Sequence, residues 1–182
     1  MLKKTKHDKL TLTTEVALEK FGEIVYRTAY GIAGQEADAQ DIYQEVFMIF
    51  MKYGLKKEYN SWSHAKYWFV RVTINCFYTL NKKTKRQEIL EKESYQLTNT
   101  KKLATSLQTY DSEILEAVQE LDEKYRVVLH LFYYEHYKIK EIANLLDENV
   151  NTIKTRLLRG KKQLEEKLEK CPLGGKSYGK KA

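Results

Sequence analysis

The sequence predicts an all-α chain made of two small helical domains joined by a flexible linker, and three observations lead there. Apolar residues recur at spacings of three and four rather than two, the helical period. The single proline, Pro172, stands near the end of the chain, which leaves the interior without a ring to break a helix. A polar stretch over residues 82–109 separates two segments that each keep the helical period.

In the first segment, Phe21, Ile24, Val25, Thr28, Ala29 and Ile32 keep one face of a helix that stops at Gly34-Gln35-Glu36. A second helix is expected over residues 37–53, with Ile42, Val46, Ile49 and Phe50 turned inward and Gly54 supplying a left-handed C-terminal residue. A polar loop over residues 54–63 leads to a third helix, whose expected buried stripe is Ala65, Phe69, Val72, Cys76 and Leu80. These helices make a first domain over residues 15–86. The linker, residues 87–109, follows the basic run Lys82-Lys83-Thr84-Lys85-Arg86.

Periodicity resumes at Ile114, Leu115, Val118 and Leu121, continues through Val127, Val128, Leu131 and Phe132, and defines a second domain over residues 110–170. A short helix follows with Ile139, Ile142, Ala143 and Leu146 on one face. A longer helix carries Val150, Ile153, Leu157, Gly160 and Leu164 at three-four-three-four spacing. Only Asp147, Glu148 and Asn149 lie between them, a length suited to a sharp turn with Asn149 as N-cap. Residues 138–164 thus read as a helix-turn-helix. The face that packing leaves free carries Asn151, Thr152, Lys154, Thr155, Arg156, Arg159, Lys161 and Lys162, suited to base edges and phosphates of a major groove. Beyond it, residues 171–182 form a basic tail rich in glycine and lysine, expected to be flexible.

The formal charge of +7 attracts polyanions but does not by itself separate nucleic acid from an anionic membrane surface. Two cysteines, Cys76 and Cys171, provide neither a disulfide framework nor a four-ligand zinc site, and a reducing cytoplasmic setting fits them best. No signal-peptide run opens the chain, and no stretch approaches the roughly 20 apolar residues that span a bilayer. His7, His64, His130 and His136 share no metal-ligand spacing. Gly175-Lys176-Ser177 lacks the earlier glycine and the preceding strand of a phosphate loop. No catalytic residue, metal or cofactor is expected, and the chain is not read as an enzyme.

Two surfaces remain. On the second helix, Asp38, Asp41, Gln44, Glu45 and Met48 face away from the core, with no lysine or arginine nearby in sequence. Asp41 and Glu45 are four apart, which costs an isolated helix roughly 0.2 to 0.5 kcal/mol, so a basic partner rather than stability accounts for them. On the third helix, Tyr67, Trp68, Arg71, Asn75, Tyr78 and Lys82 mix aromatic rings, an amide and cations, a surface on which unstacked bases can lie. The competing reading places Trp68 in the core and Tyr78 at its rim.

Together these segments resemble the bacterial RNA polymerase sigma factors of the compact extracytoplasmic-function (ECF) type, over most of the chain. The run Ala37-Asp38-Ala39-Gln40-Asp41-Ile42-Tyr43-Gln44-Glu45-Val46-Phe47 is similar to the family's core-polymerase-binding motif. The run Trp68-Phe69-Val70-Arg71-Val72-Thr73-Ile74-Asn75 is similar to its promoter-melting segment. Glu141-Ile142-Ala143 and Val150-Asn151-Thr152-Ile153-Lys154-Thr155-Arg156-Leu157 resemble its reader of the −35 element, with Lys154, Thr155, Leu158 and Arg159 at matched positions.

The resemblance implies promoter DNA and RNA polymerase core as partners, met at the clamp helices and flap, with an anti-sigma factor as a further partner to which residues 132–137 contribute. It assigns polymerase binding to Asp38, Asp41, Gln44, Glu45 and Met48. It assigns recognition and melting of the −10 element to Asn60, Trp62, Lys66, Tyr67, Arg71, Asn75, Tyr78 and Lys82, with the 54–63 loop capturing a flipped base. Two positions depart from the family pattern: Asp147 stands where the turn usually has glycine and Glu148 where an apolar residue is common, which predicts a looser or differently packed turn. The alternative is an ordinary helix-turn-helix regulator with a ligand-sensing or dimerising first domain.

Overall fold

A computed structural model describes residues 9–92 and 112–169. The chain divides into two compact units, residues 1–105 and 106–182. The first holds α1 (Thr14–Ala33), α2 (Glu36–Ile49) and α3 (Trp62–Lys92); the second holds α4 (Ser112–Gln119), α5 (Glu123–Tyr133), α6 (Ile139–Leu146) and α7 (Val150–Glu169). The only extended pairing among the described residues is an isolated antiparallel bridge between Leu10 and Tyr59. No helix of the described residues is long and apolar enough to cross a membrane.

In the first unit, the Thr13 side chain accepts the Val16 N–H at 3.3 Å to open α1, and Gly34, left-handed at φ 81°, closes it. The helix thus begins seven residues before the expected face at Phe21. Phe69 of α3 anchors the core, its ring 4.7 Å from Phe21, 5.6 Å from Phe47 and 5.1 Å from Phe50. The buried face of α3 is broader than the expected stripe: Val70, Ile74 and Phe77 are buried while Val72 and Leu80 are only half-buried, because α3 packs against both α1 and α2.

The end of α2 corrects an expectation. Gly54 is not left-handed; residues Phe50–Gly54 form a π-helical turn in which the Leu55 N–H donates to the Phe50 carbonyl at 3.0 Å. Glycine is needed there for space, since a Cβ on Gly54 would lie 2.2 Å from Cδ2 of the buried Phe50 ring. A second correction concerns the polar run after Lys82, where α3 continues helical to Lys92. Of the expected linker, residues 93–109 lie outside the described residues, as does the expected tail, 171–182.

The second unit packs α5 against α7 through Tyr125 and Leu129, joined by Leu121 just before α5, with Leu157 and Leu164 laid on them. Gly160 permits the close crossing: a Cβ there would stand 3.1 Å from the Cβ of Tyr125 and 3.2 Å from Cδ1 of Leu129. Val127, Val128, Leu131, Ile142, Ala143, Leu145 and Ile153 are buried with them.

Candidate nucleic-acid and partner interfaces

The turn between α6 and α7 is tight rather than loose. Asp147 adopts the left-handed conformation, φ 53° and ψ 46°, that glycine would take, and its N–H donates to the Ala143 carbonyl. The Glu148 N–H reaches the same carbonyl at 2.9 Å. Asn149 caps α7 as expected, its Oδ1 accepting the Asn151 N–H at 2.8 Å. At the other end of α6, the Glu141 carboxylate accepts the Lys138 N–H at 2.7 Å, half of a capping box.

On α7, Asn151, Lys154, Thr155, Leu158, Arg159, Lys161 and Lys162 are exposed, and Leu158 projects with 71% of its surface open. Lys161 and Lys162 lie 3.6 Å and 3.8 Å from Glu165 and Glu166, exposed pairs weak enough for a phosphate to displace. Thr152 and Arg156 differ from the rest. Both sit half-buried on the flank of α7, and the Arg156 guanidinium is held by Glu148 at 2.6 Å.

On α2, Asp41, Gln44, Glu45 and Met48 are exposed and Asp38 is half-buried. Asp41 and Glu45 border a cleft of about 220 Å³ between α2 and α3, floored by Ile42, Ile49, Cys76 and Leu80. From α3, Asn75 and Lys83 also line it, so the fold supplies a cation that the sequence around Asp41 lacks. Burial, reinforced by Glu45, pushes the Cys76 thiol up to about 11, which keeps it protonated at neutral pH.

The aromatic and basic residues of α3 do not all share one surface. Trp62 is half exposed, with its ring 6.2 Å from Phe21; Arg71 and Lys82 are exposed, and Lys66, Tyr67 and Tyr78 are half-buried. Asn75 lines the α2 cleft instead. Trp68 is half-buried, packed edge-on against Phe50 and Tyr59 at 5.9 and 6.1 Å. Before α3, Asn60 is exposed and its N–H donates to His64 Nδ1 at 3.1 Å.

The sigma-70 region 4 family model matches residues 111–164, which span α4 to α6 and most of α7. The similarity also extends through the first unit. RNA polymerase sigma factor SigV of Bacillus subtilis (strain 168) is 28% identical over 175 residues, covering 93% of this chain and 98% of that protein. ECF RNA polymerase sigma factor SigW of the same organism is 24% identical over 163 residues, covering 79% of this chain and 82% of its own. Through both units the chain is thus similar to RNA polymerase sigma factors of the ECF type. Its fold is also that of the sigma factor RpoE solved with the anti-sigma factor NepR from Bartonella quintana, at TM-score 0.69 and 19% identity, covering 86% of this chain and 97% of that one.

In this chain, sequence reasoning missed the support of the loop before α3. Tyr59 is fully buried, and its backbone pairs with Leu10 through two 2.8 Å hydrogen bonds. Lys9 and Glu58 form an ion pair beside that bridge. Lys57 lies 5.8 Å from the ring centres of both Tyr59 and Trp68. The one available signal was the apolar alternation Leu10-Thr11-Leu12, of which Leu12 is buried.

Proposed function

We propose that this sigma factor binds core RNA polymerase and carries it to promoters, where its first unit opens the −10 element and its second reads the −35 element. The observation that supports this best is similarity to sigma factors through both units; a stand-alone regulator would need to share only the helix-turn-helix. Asp41, Gln44, Glu45 and Met48, with Asp38 beside them, form the docking face for basic clamp helices. Asn60, Trp62, Lys66, Tyr67, Arg71, Tyr78 and Lys82 serve strand opening, each base stacked on an aromatic ring contributing roughly 1 to 3 kcal/mol. Asn75 joins the docking cleft as much as the melting surface.

On α7, Asn151, Lys154, Thr155, Leu158 and Arg159 enter the major groove, while Lys161 and Lys162 follow the phosphates. The subunit acts stoichiometrically in the cytoplasm and catalyses no covalent step, which belongs to the polymerase. An anti-sigma factor, as crystallised with the Bartonella relative, is a further partner.

Transcription reconstituted with core polymerase tests the assignment. The native chain is expected to give promoter-dependent initiation, and the D41K/E45K double variant to lose it. Initiation that needs another sigma factor, or survives the double charge reversal, refutes the reading.

A further inference from the structure

Nonspecific hold on DNA comes almost entirely from cations that neutralise phosphates, each adding about 0.9 to the steepness with which affinity falls as salt rises. A recognition helix with too many free cations therefore grips every sequence. On α7, Lys154, Arg159, Lys161 and Lys162 stand exposed, but Arg156 does not join them. Its guanidinium is engaged at 2.6 Å by the Glu148 carboxylate, eight residues away in the interhelical turn, with the two side chains 22% and 35% exposed. A charge-assisted bond of this kind occupies part of the guanidinium's donor fork and cancels its net charge.

The turn fixes that partner. Asp147 in the left-handed region and the Glu148 N–H on the Ala143 carbonyl set the Glu148 backbone, and the Asn149 cap sets the start of α7. The carboxylate thus reaches Arg156 from a preorganised position.

We propose that Glu148 is a specificity-setting residue that masks Arg156 from the DNA phosphates, lowering sequence-independent affinity while the exposed face of α7 stays free to read bases. The inference rests on the promoter-reading role of α7. Glu148 acts through Arg156 and is a positioning residue.

The full-length chain is titrated with KCl on a fluorescein-labelled random-sequence duplex, and the slope of log affinity against log salt is read by anisotropy. The near-isosteric E148Q should steepen the slope by about 0.9, which tightens binding roughly eightfold between 1 M and 0.1 M salt. E148Q/R156A, which removes both charges of the pair, should return it to the native value. An unchanged slope in E148Q overturns the masking. A slope that stays steep in E148Q/R156A also overturns it, since the carboxylate would then act on DNA without Arg156. R159A is the control for the underlying reading: it should flatten the slope by about one unit. If it does not, α7 is not on the duplex and the promoter-reading role itself fails.

Discussion

At single residues, space and solvation decide outcomes that residue type alone does not. Gly54 looked like a helix terminator, yet its requirement is the 2.2 Å approach of Phe50 to where a Cβ would stand. G54A should therefore destabilise the first unit by about 1 to 3 kcal/mol, as overpacking does, and a chemical denaturation midpoint unchanged from the native chain would refute this. Tyr59 gives a pH signature. Burial pushes its phenol up to about 12, against about 10 in an unfolded chain. Between those values the unfolded state sheds its proton first, so the native state binds more protons and stability falls as pH climbs from about 10 to 12; below that window the group is neutral in both states.

Y59F should flatten the alkaline decline in thermal midpoint relative to the native chain. At pH 7 it should cost less than about 1.5 kcal/mol, because the hydrogen bond lost to the Gly54 carbonyl is long, 3.4 Å. Identical alkaline profiles for the two chains would count against a buried neutral phenol. Cys76, raised to about 11 by burial, contributes the same sign in both chains and leaves the comparison intact.

At the scale of elements, pattern located the helices and packing set their limits and faces. The tripeptide turn illustrates the division. Asp147 and Glu148 depart from the family pattern, which predicted a looser or differently packed turn, but a left-handed backbone is available to aspartate at modest cost and the turn stays tight. D147G should be at least as stable as the native chain and D147A about 1 kcal/mol less stable than D147G, since alanine pays the Cβ penalty without a polar side chain to offset it. Equal thermal midpoints for the two variants would contradict the left-handed assignment. The buried face of α3 was underestimated because the period was matched to one packing neighbour, whereas α1 and α2 cover adjacent sides of it. Trp68 shows the same limit: alternation with cations suggested an open platform, and contact with the buried rings of Phe50 and Tyr59 half-buries it instead.

At the scale of the whole molecule, the face proposed to dock polymerase and the helix proposed to enter the major groove lie on separate units. D41K/E45K should therefore abolish initiation while the salt slope on random duplex stays within experimental error of the native chain. Loss of both together would mean that the charge reversal unfolds the chain rather than removing a contact. The sequence by itself determined the all-α class, the helix-turn-helix, the Asn149 cap and the acidic face of α2, because helical periodicity, capping and like-charge spacing are local and act within a few residues. Only the tertiary structure decided that Gly54 yields to Phe50, that Leu10 pairs with Tyr59, that Lys83 and Asn75 share a cleft with Asp41 and Glu45, and that Glu148 holds Arg156. Each of these depends on side chains brought together by packing or by a turn's backbone angles, and spacing along the chain carries no record of such encounters.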